Sequence, residues 1–191
     1  MENKNPTVCL AGATGLVGHE VLMLLSFMDP VKSITAITRK PLGRIPPKVD
    51  NLILNFDNMV QHADAMKADI FICCLGSTMK KAGSKEKFRT VDYDYVIAFA
   101  KIAELVKAKK FIVISAMGAD ANSMFFYNQV KGQMENTLRD LQIPEVVILR
   151  PSLILGDRNE ERTAEAMFQK FSPVMNAVLA GPLKKYRAID A

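Results

Sequence analysis

The chain has no tryptophan, two histidines and three cysteines among its 191 residues, and each shortage removes a class of function. His19 and His62 are too few for a histidine-rich metal centre, and no cysteine–histidine spacing suits zinc, so no metal is expected. Cys9, Cys73 and Cys74 lie in apolar, strand-like runs. An odd number of thiols without a secretory leader argues against a disulfide framework and for thiols buried as small hydrophobes. No apolar run approaches the roughly 18 residues needed to cross a bilayer. The most apolar stretch, Tyr95 to Val106, is interrupted by Lys101 and Glu104. The opening residues, Met1 to Pro6, form no apolar leader, and a cytoplasmic protein is expected.

What is present describes an ordinary globular domain. Apolar residues make up 49% and charged residues 24% of the chain, enough for a core without cross-links. One domain over residues 1–191 is expected, with a cofactor half at about 7–110 and a catalytic half at about 111–191. The net charge of +5 is mild and scattered. Its clusters, at Lys80, Lys81, Lys85, Lys87 and Arg89 and at Lys184, Lys185 and Arg187, suit a solvated face or an anionic cofactor better than nucleic acid.

Strand-like and helix-like segments alternate. Short β-branched or apolar runs occur at Thr7–Leu10, Ile34–Thr38, Leu52–Phe56, Ile70–Leu75, Phe111–Ser115 and Val146–Leu149. Helical spacing marks Leu16–Leu25, Asn58–Lys67, Val91–Ala108 and Phe125–Leu141, with two further helices near Arg162–Phe171 and Val174–Leu179. Gly76–Arg89 shows no strong period. This order predicts an α/β fold: a Rossmann-type doubly wound parallel sheet of about six strands, with helices on both faces and a small C-terminal helical extension.

The first strand runs into Gly12-Ala13-Thr14-Gly15-Leu16-Val17-Gly18, with glycines at every third position. At a strand-to-helix junction this pattern has a physical use. Gly12 permits the sharp turn, Gly15 lets backbone approach a pyrophosphate, and Gly18 lets the helix pack closely. The helix start then directs free N–H groups and partial positive charge at the phosphates. Thr14, Leu16 and Val17 complete this cradle.

The second strand ends Thr38-Arg39-Lys40, with no acidic residue between Ser33 and Pro41. An acid there would bind the ribose 2′-hydroxyl of NAD. Two cations instead suit the 2′-phosphate of NADP, with Arg39 able to form a paired contact. NADP(H) is therefore expected, with NAD(H) left open. Asp57, after the third strand, is placed either to accept from the adenine amino group or to cap the next helix. Leu75-Gly76-Ser77 follows the fourth strand, where a small residue leaves room for the nicotinamide-side ribose.

Tyr127 and Lys131 are four residues apart on a predicted helix and share a face. By itself YxxxK is a weak pattern. Here the packing stripe is Phe126, Val130, Met134, Leu138 and Leu141, which places the pair beside the core at the sheet edge. An ammonium near a phenol lowers its pKa, and Tyr127 would then serve as an acid–base group for a carbonyl. Ser115 ends the fifth strand at the carboxyl edge, where ligands sit in such sheets, and its hydroxyl is expected to hydrogen-bond the substrate carbonyl.

The glycine turn, Ser115, the Tyr127–Lys131 pair and Arg150-Pro151-Ser152 resemble the short-chain dehydrogenase/reductase superfamily. Cys73 to Thr78, Lys81-Ala82-Gly83, Val91 to Val96, Ser115 to Asp120 and Tyr127 to Gly132 narrow the resemblance to its atypical branch, which contains the HIV Tat-interactive protein and bacterial relatives. It covers the chain from about Val8 to the end. It implies an NADPH-binding Rossmann domain with Ser115, Tyr127 and Lys131 catalytic and Pro151 at the cofactor. Two departures stand out. Where many members carry an Asn that holds a relay water, this sequence has Asp92. Only 40 residues follow Pro151, where extended members place a substrate domain and relatives continue into another helix.

Three functions follow as expectations. The first is an NADPH-dependent oxidoreductase acting on an unidentified small carbonyl or hydroxyl compound. The second is an NADPH-binding regulatory module with little turnover and an unidentified protein partner. The third is a sugar-nucleotide epimerase or dehydratase, for which the short C-terminal part leaves little room. The sequence does not specify an oligomeric state.

Overall fold

The structure is a computed structural model that describes residues 5–152, 154–155 and 189–190. The chain divides into two units, Met1–Arg150 and Pro151–Ala191. In the first, β1 (Thr7–Ala11), β2 (Ser33–Thr38), β3 (Val49–Ile53), β4 (Ile70–Cys73), β5 (Lys110–Ile114) and β6 (Glu145–Leu149) form one sheet. All pairings are parallel and the order is β3-β2-β1-β4-β5-β6. This is the doubly wound order predicted from the alternation, and it reverses direction between β1 and β4, the crevice where such sheets take ligands. In the second unit, β7 (Ile154–Leu155) pairs parallel with β8 (Ile189–Asp190). The helices expected near 162–171 and 174–179 lie outside the described residues.

The sheet is covered on both faces, so its central strands are apolar on both sides. On one face α1 (Leu16–Phe27) packs Leu22 against Leu10, Ile34 and Ala36. On the other, α4 (Tyr95–Leu105) and α5 (Phe126–Arg139) bury Phe99, Ile102, Met134 and Leu138 against Phe71 and Phe111. Phe99 links this core, with ring centroids 4.9 Å from Phe71 and 6.0 Å from Phe111.

Two stretches differ from the expected elements. The third strand is Val49–Ile53 and not Leu52–Phe56, because its register against β2 starts at Ile34↔Val49 and ends at Thr38↔Ile53. Leu54 and Phe56 are buried beyond the strand, so their apolar signal reports burial and not pairing. The aperiodic stretch Gly76–Arg89 holds two short helices, α2 (Met79–Ala82) and α3 (Lys85–Arg89), each capped by a side chain, Thr78 and Ser84 respectively. A π-helical turn over Thr90–Asp94 joins α3 to α4.

Candidate functional site

At the carboxyl end of β1, Gly12 turns with φ +90°. A Cβ built there would lie 2.6 Å from the Cys74 carbonyl carbon and oxygen, so the turn presses directly on the end of β4. A Cβ at Gly18 would lie 2.1 Å from the Gly12 carbonyl oxygen, which brings α1 against the turn itself. The Gly15 N–H donates to the Gly12 carbonyl at 3.0 Å, and Thr14 and Gly15 are exposed. Gly15 is the N-cap of α1, and no side chain caps the helix there. The start of α1, at Leu16 and Val17, thus opens on a rim made of backbone. This suits an anionic diphosphate, which N–H groups at a helix start receive.

Arg39 and Lys40 are exposed at the end of β2, and the Arg39 guanidinium lies 5.9 Å from the Phe56 ring centroid. The loop that follows is tied down by Asn51. Its amide donates to the Ala36 carbonyl at 3.0 Å and the Thr38 hydroxyl at 2.8 Å, and its Oδ1 accepts from Leu42 N at 2.9 Å. Of the two readings of Asp57, capping falls away. Asn55 caps the turn by accepting from the Asp57 N–H at 3.1 Å. The Asp57 carboxylate instead accepts from the Tyr95 hydroxyl at 2.6 Å. That bond, followed by burial, raises the Tyr95 pKa above that of an ordinary phenol.

Across the β1–β4 crevice the residues are charged and buried. Asp92, in the π-helical turn, is fully buried. Its Oδ1 lies 2.8 Å from Lys131 Nζ, and its Oδ2 accepts from the Ser77 N–H at 2.8 Å. A Cβ at Gly76 would stand 3.5 Å from Asp92 Oδ1 and 3.9 Å from Lys131 Nζ. The Gly76–Ser77 backbone therefore lies over the ion pair. Leu75 is buried just before it. Burial pushes the Asp92 carboxyl above its usual value, with Lys131 and the Ser77 N–H pulling it back. The 2.8 Å approach is that of a carboxylate facing an ammonium.

Tyr127 is half-buried in the first turn of α5, its ring 5.4 Å from that of Phe88. The lowering of its pKa expected from Lys131 is outweighed. Burial raises it, Lys131 opposes, and Asp92 adds to the rise. The phenol is held protonated. Ser115 is buried, and its hydroxyl donates to Glu135 Oε1 at 2.5 Å. That commits its one proton, so Ser115 can offer a substrate carbonyl no hydrogen bond while Glu135 holds it.

Glu135 was not anticipated. It is buried on α5, accepts from Arg150 Nε at 2.9 Å and also from Arg150 Nη2, and pairs with Arg139 at 3.2 Å. Burial would raise its pKa, but hydrogen bonds from Arg150 and Ser115 and the two guanidinium charges outweigh it and hold the carboxyl below the usual range. The signal was present in the sequence: Tyr127, Lys131 and Glu135 recur at every fourth residue and share one helix face. Gly132, between them, sets how closely α5 sits. A Cβ there would lie 2.1 Å from Ala121 N, on the loop that follows β5. Pro151 is half-buried in the second unit.

Comparison with known proteins agrees with this construction. A family model described as HIM1 matches residues 51–183. The chain is 33% identical to protein HTATIP2 of Rattus norvegicus over 172 residues, which is 88% of this chain and 71% of the rat protein. It is 33% identical to the mitochondrial protein FMP52 of Candida albicans, covering 79% of this chain and 68% of that protein. It is 34% identical to the mitochondrial protein fmp52 of Emericella nidulans, covering 90% and 76%. The resemblance to the branch containing the Tat-interactive protein thus holds. Among solved structures, the Bordetella bronchiseptica enzyme WbmG in complex with NAD matches with TM-score 0.69 at 15% identity, covering 93% of this chain and 61% of that one. The ADP-L-glycero-D-manno-heptose-6-epimerase of Helicobacter pylori matches with TM-score 0.70 at 18% identity, covering 93% and 66%. These likenesses show the fold, and the chain spans about three fifths of the WbmG chain's length. The expected cytoplasmic location is corrected: the fungal relatives are named mitochondrial, so the unremarkable N-terminal residues did not justify it. Among the described residues, no helix is long and apolar enough to cross a membrane, and no group of acidic, histidine or cysteine side chains could hold a metal.

Proposed function

The chain belongs to the HIM1 family, and from that premise we propose that it binds NADPH and reduces a carbonyl group of a small molecule. The observation that carries this reading is the glycine turn at Gly12–Gly18, set at the crevice between β1 and β4, with Tyr127 and Lys131 on the far side. The NAD complex of WbmG, on the same fold, supports a nicotinamide cofactor.

In this proposal Gly12, Thr14, Gly15, Leu16, Val17 and Gly18 hold the diphosphate. Arg39 and Lys40 hold the 2′-phosphate, which favours NADPH over NADH. Asp57 accepts from the adenine amino group with its remaining lone pairs. Leu75, Gly76 and Ser77 line the nicotinamide end. When bound, the cofactor supplies a hydride to the carbonyl carbon. Tyr127, held protonated, gives its phenolic proton to the carbonyl oxygen and regains one from solvent. Lys131 orients the cofactor ribose and Tyr127. Ser115, whose hydroxyl donates to the Glu135 carboxylate, supports the floor of the site and does not donate to the reacting group.

The test is a fluorescence titration of the protein with NADPH and NADH, then NADPH consumption against a panel of aldehydes and ketones. NADPH binding at least tenfold tighter than NADH, with turnover lost in Tyr127→Phe but binding kept, is the expected result. No binding of either nucleotide, or equal rates in wild type and Tyr127→Phe, overturns it.

A further inference from the structure

The buried pair Asp92–Lys131 is more than a structural bridge. Asp92 reaches two parts of the site at once, the backbone N–H of Ser77 and the ammonium of Lys131, each at 2.8 Å. Both side chains of the pair are almost closed to water, at 1% and 4% exposure. An ammonium with a carboxylate against it presents a dipole to its surroundings and not a full cation. Its attraction for a nearby anion falls accordingly.

The groups around Tyr127 leave little to replace that lost charge. On its own helix the charged neighbour is Lys131; from the π-helical turn it is Asp92. From α3, Phe88 presents a ring to it. Lys85 stands over Phe126, 5.3 Å from the ring centroid, and Arg89 is bonded to Gln133 at 2.7 Å. At the end of β4, burial pushes the Cys73 thiol up to about 12, so it stays neutral beside the pair.

We propose that Asp92 is a positioning residue for this site: it holds Lys131 in a buried ion pair and withholds that charge from Tyr127, so that Tyr127 serves as a proton donor and not as a base. This rests on the reading of Tyr127 and Lys131 as the acid and its partner.

The experiment is an ultraviolet difference titration of tyrosinate without nucleotide, with Tyr127→Phe subtracted to isolate Tyr127 from the other three tyrosines of the chain. If the pair is electrically neutral toward Tyr127, the double variant Asp92→Asn/Lys131→Met, which carries no buried charge, titrates close to wild type. Asp92→Asn alone frees the ammonium and lowers the Tyr127 midpoint by about one unit or more, a tenfold change in the equilibrium. A wild-type midpoint well below that of the double variant overturns the proposal, because Lys131 would then act on Tyr127 in spite of Asp92. So does an unchanged midpoint in Asp92→Asn. Because Asp92→Asn strands a buried ammonium and is at risk of misfolding, Lys131→Met is measured beside it: it leaves the Asp92 carboxylate unopposed and raises the Tyr127 midpoint, and an unchanged midpoint there overturns the proposal as well. A failure of NADPH to bind would sink the proposed function and leave this titration result standing.

Discussion

The two walls of the β1–β4 crevice are made by opposite means. The Gly12–Gly18 wall depends on three glycines: its backbone is turned by a positive φ at Gly12 and packed so closely that a single Cβ at Gly18 would meet a carbonyl oxygen at 2.1 Å. The α5 wall is all side chain, with Asp92, Lys131, Ser115 and Glu135 buried in two ionic networks. A backbone wall fits any diphosphate and discriminates little. A wall of buried charges is costly to assemble, holds one arrangement and sets the chemistry. In the proposed function, recognition of the common part of a cofactor and control of the proton fall on different elements of the fold.

The largest effect should come from breaking the backbone wall. Gly18→Val has no flexible neighbour to yield, since the obstacle is the Gly12 carbonyl. It should cost about 3 kcal/mol or more of stability and weaken NADPH binding beyond detection, read by thermal unfolding and fluorescence titration. On the other wall, Glu135→Ala strands Arg150 and Ser115. Because the Arg150 side chain is 47% exposed and can rehydrate, about 2 kcal/mol is expected and not the full cost of a buried pair, measured by urea unfolding.

The same carboxyl gives a pH test. Its folded pKa lies below the ordinary 4.5, so its stabilising contribution is complete above that value and is lost as pH falls through the folded pKa. The gap in unfolding free energy between wild type and Glu135→Gln should therefore be constant near neutrality and shrink in acid. A gap that widens in acid would contradict the assignment. Next in size, Arg39→Ala should weaken NADPH about tenfold, or about 1.4 kcal/mol, while leaving NADH unchanged. The smallest effect sharpens the contrast between buried and exposed charge. Lys110 and Glu145 pair at 3.0 Å with exposures of 36% and 53%, and Lys110→Ala should change stability by less than about 0.5 kcal/mol.

The backbone wall was legible in the sequence because glycine spacing reports directly on where no side chain fits. The parallel sheet was legible because strands covered on both faces read as apolar runs. Less was legible where burial and pairing part company. Leu54 and Phe56 are buried yet lie outside β3, so a pattern of apolar residues displaced the strand. The α5 wall was half visible. YxxxK gave Tyr127 and Lys131, but the partner of each charge comes from a distant segment: Asp92 for Lys131, and Ser115 and Arg150 for Glu135. Pairing across such distances depends on tertiary approach, which helix periodicity does not encode. The Tyr127 shift runs opposite to the expectation from Lys131 because burial of the phenol outweighs the ammonium, with Asp92, 35 residues before Tyr127, adding to the rise.

Asn51 has a bearing on how the nucleotide is chosen. Its three hydrogen bonds fasten both sides of the Arg39–Lys40 corner, to Ala36 and Thr38 before it and Leu42 after it. The two cations therefore project from a corner whose backbone is already ordered. Under the proposed NADPH preference, less conformational freedom would be lost on capturing a phosphate there, and discrimination between the two nucleotides would fall on charge, with little contribution from loop rearrangement.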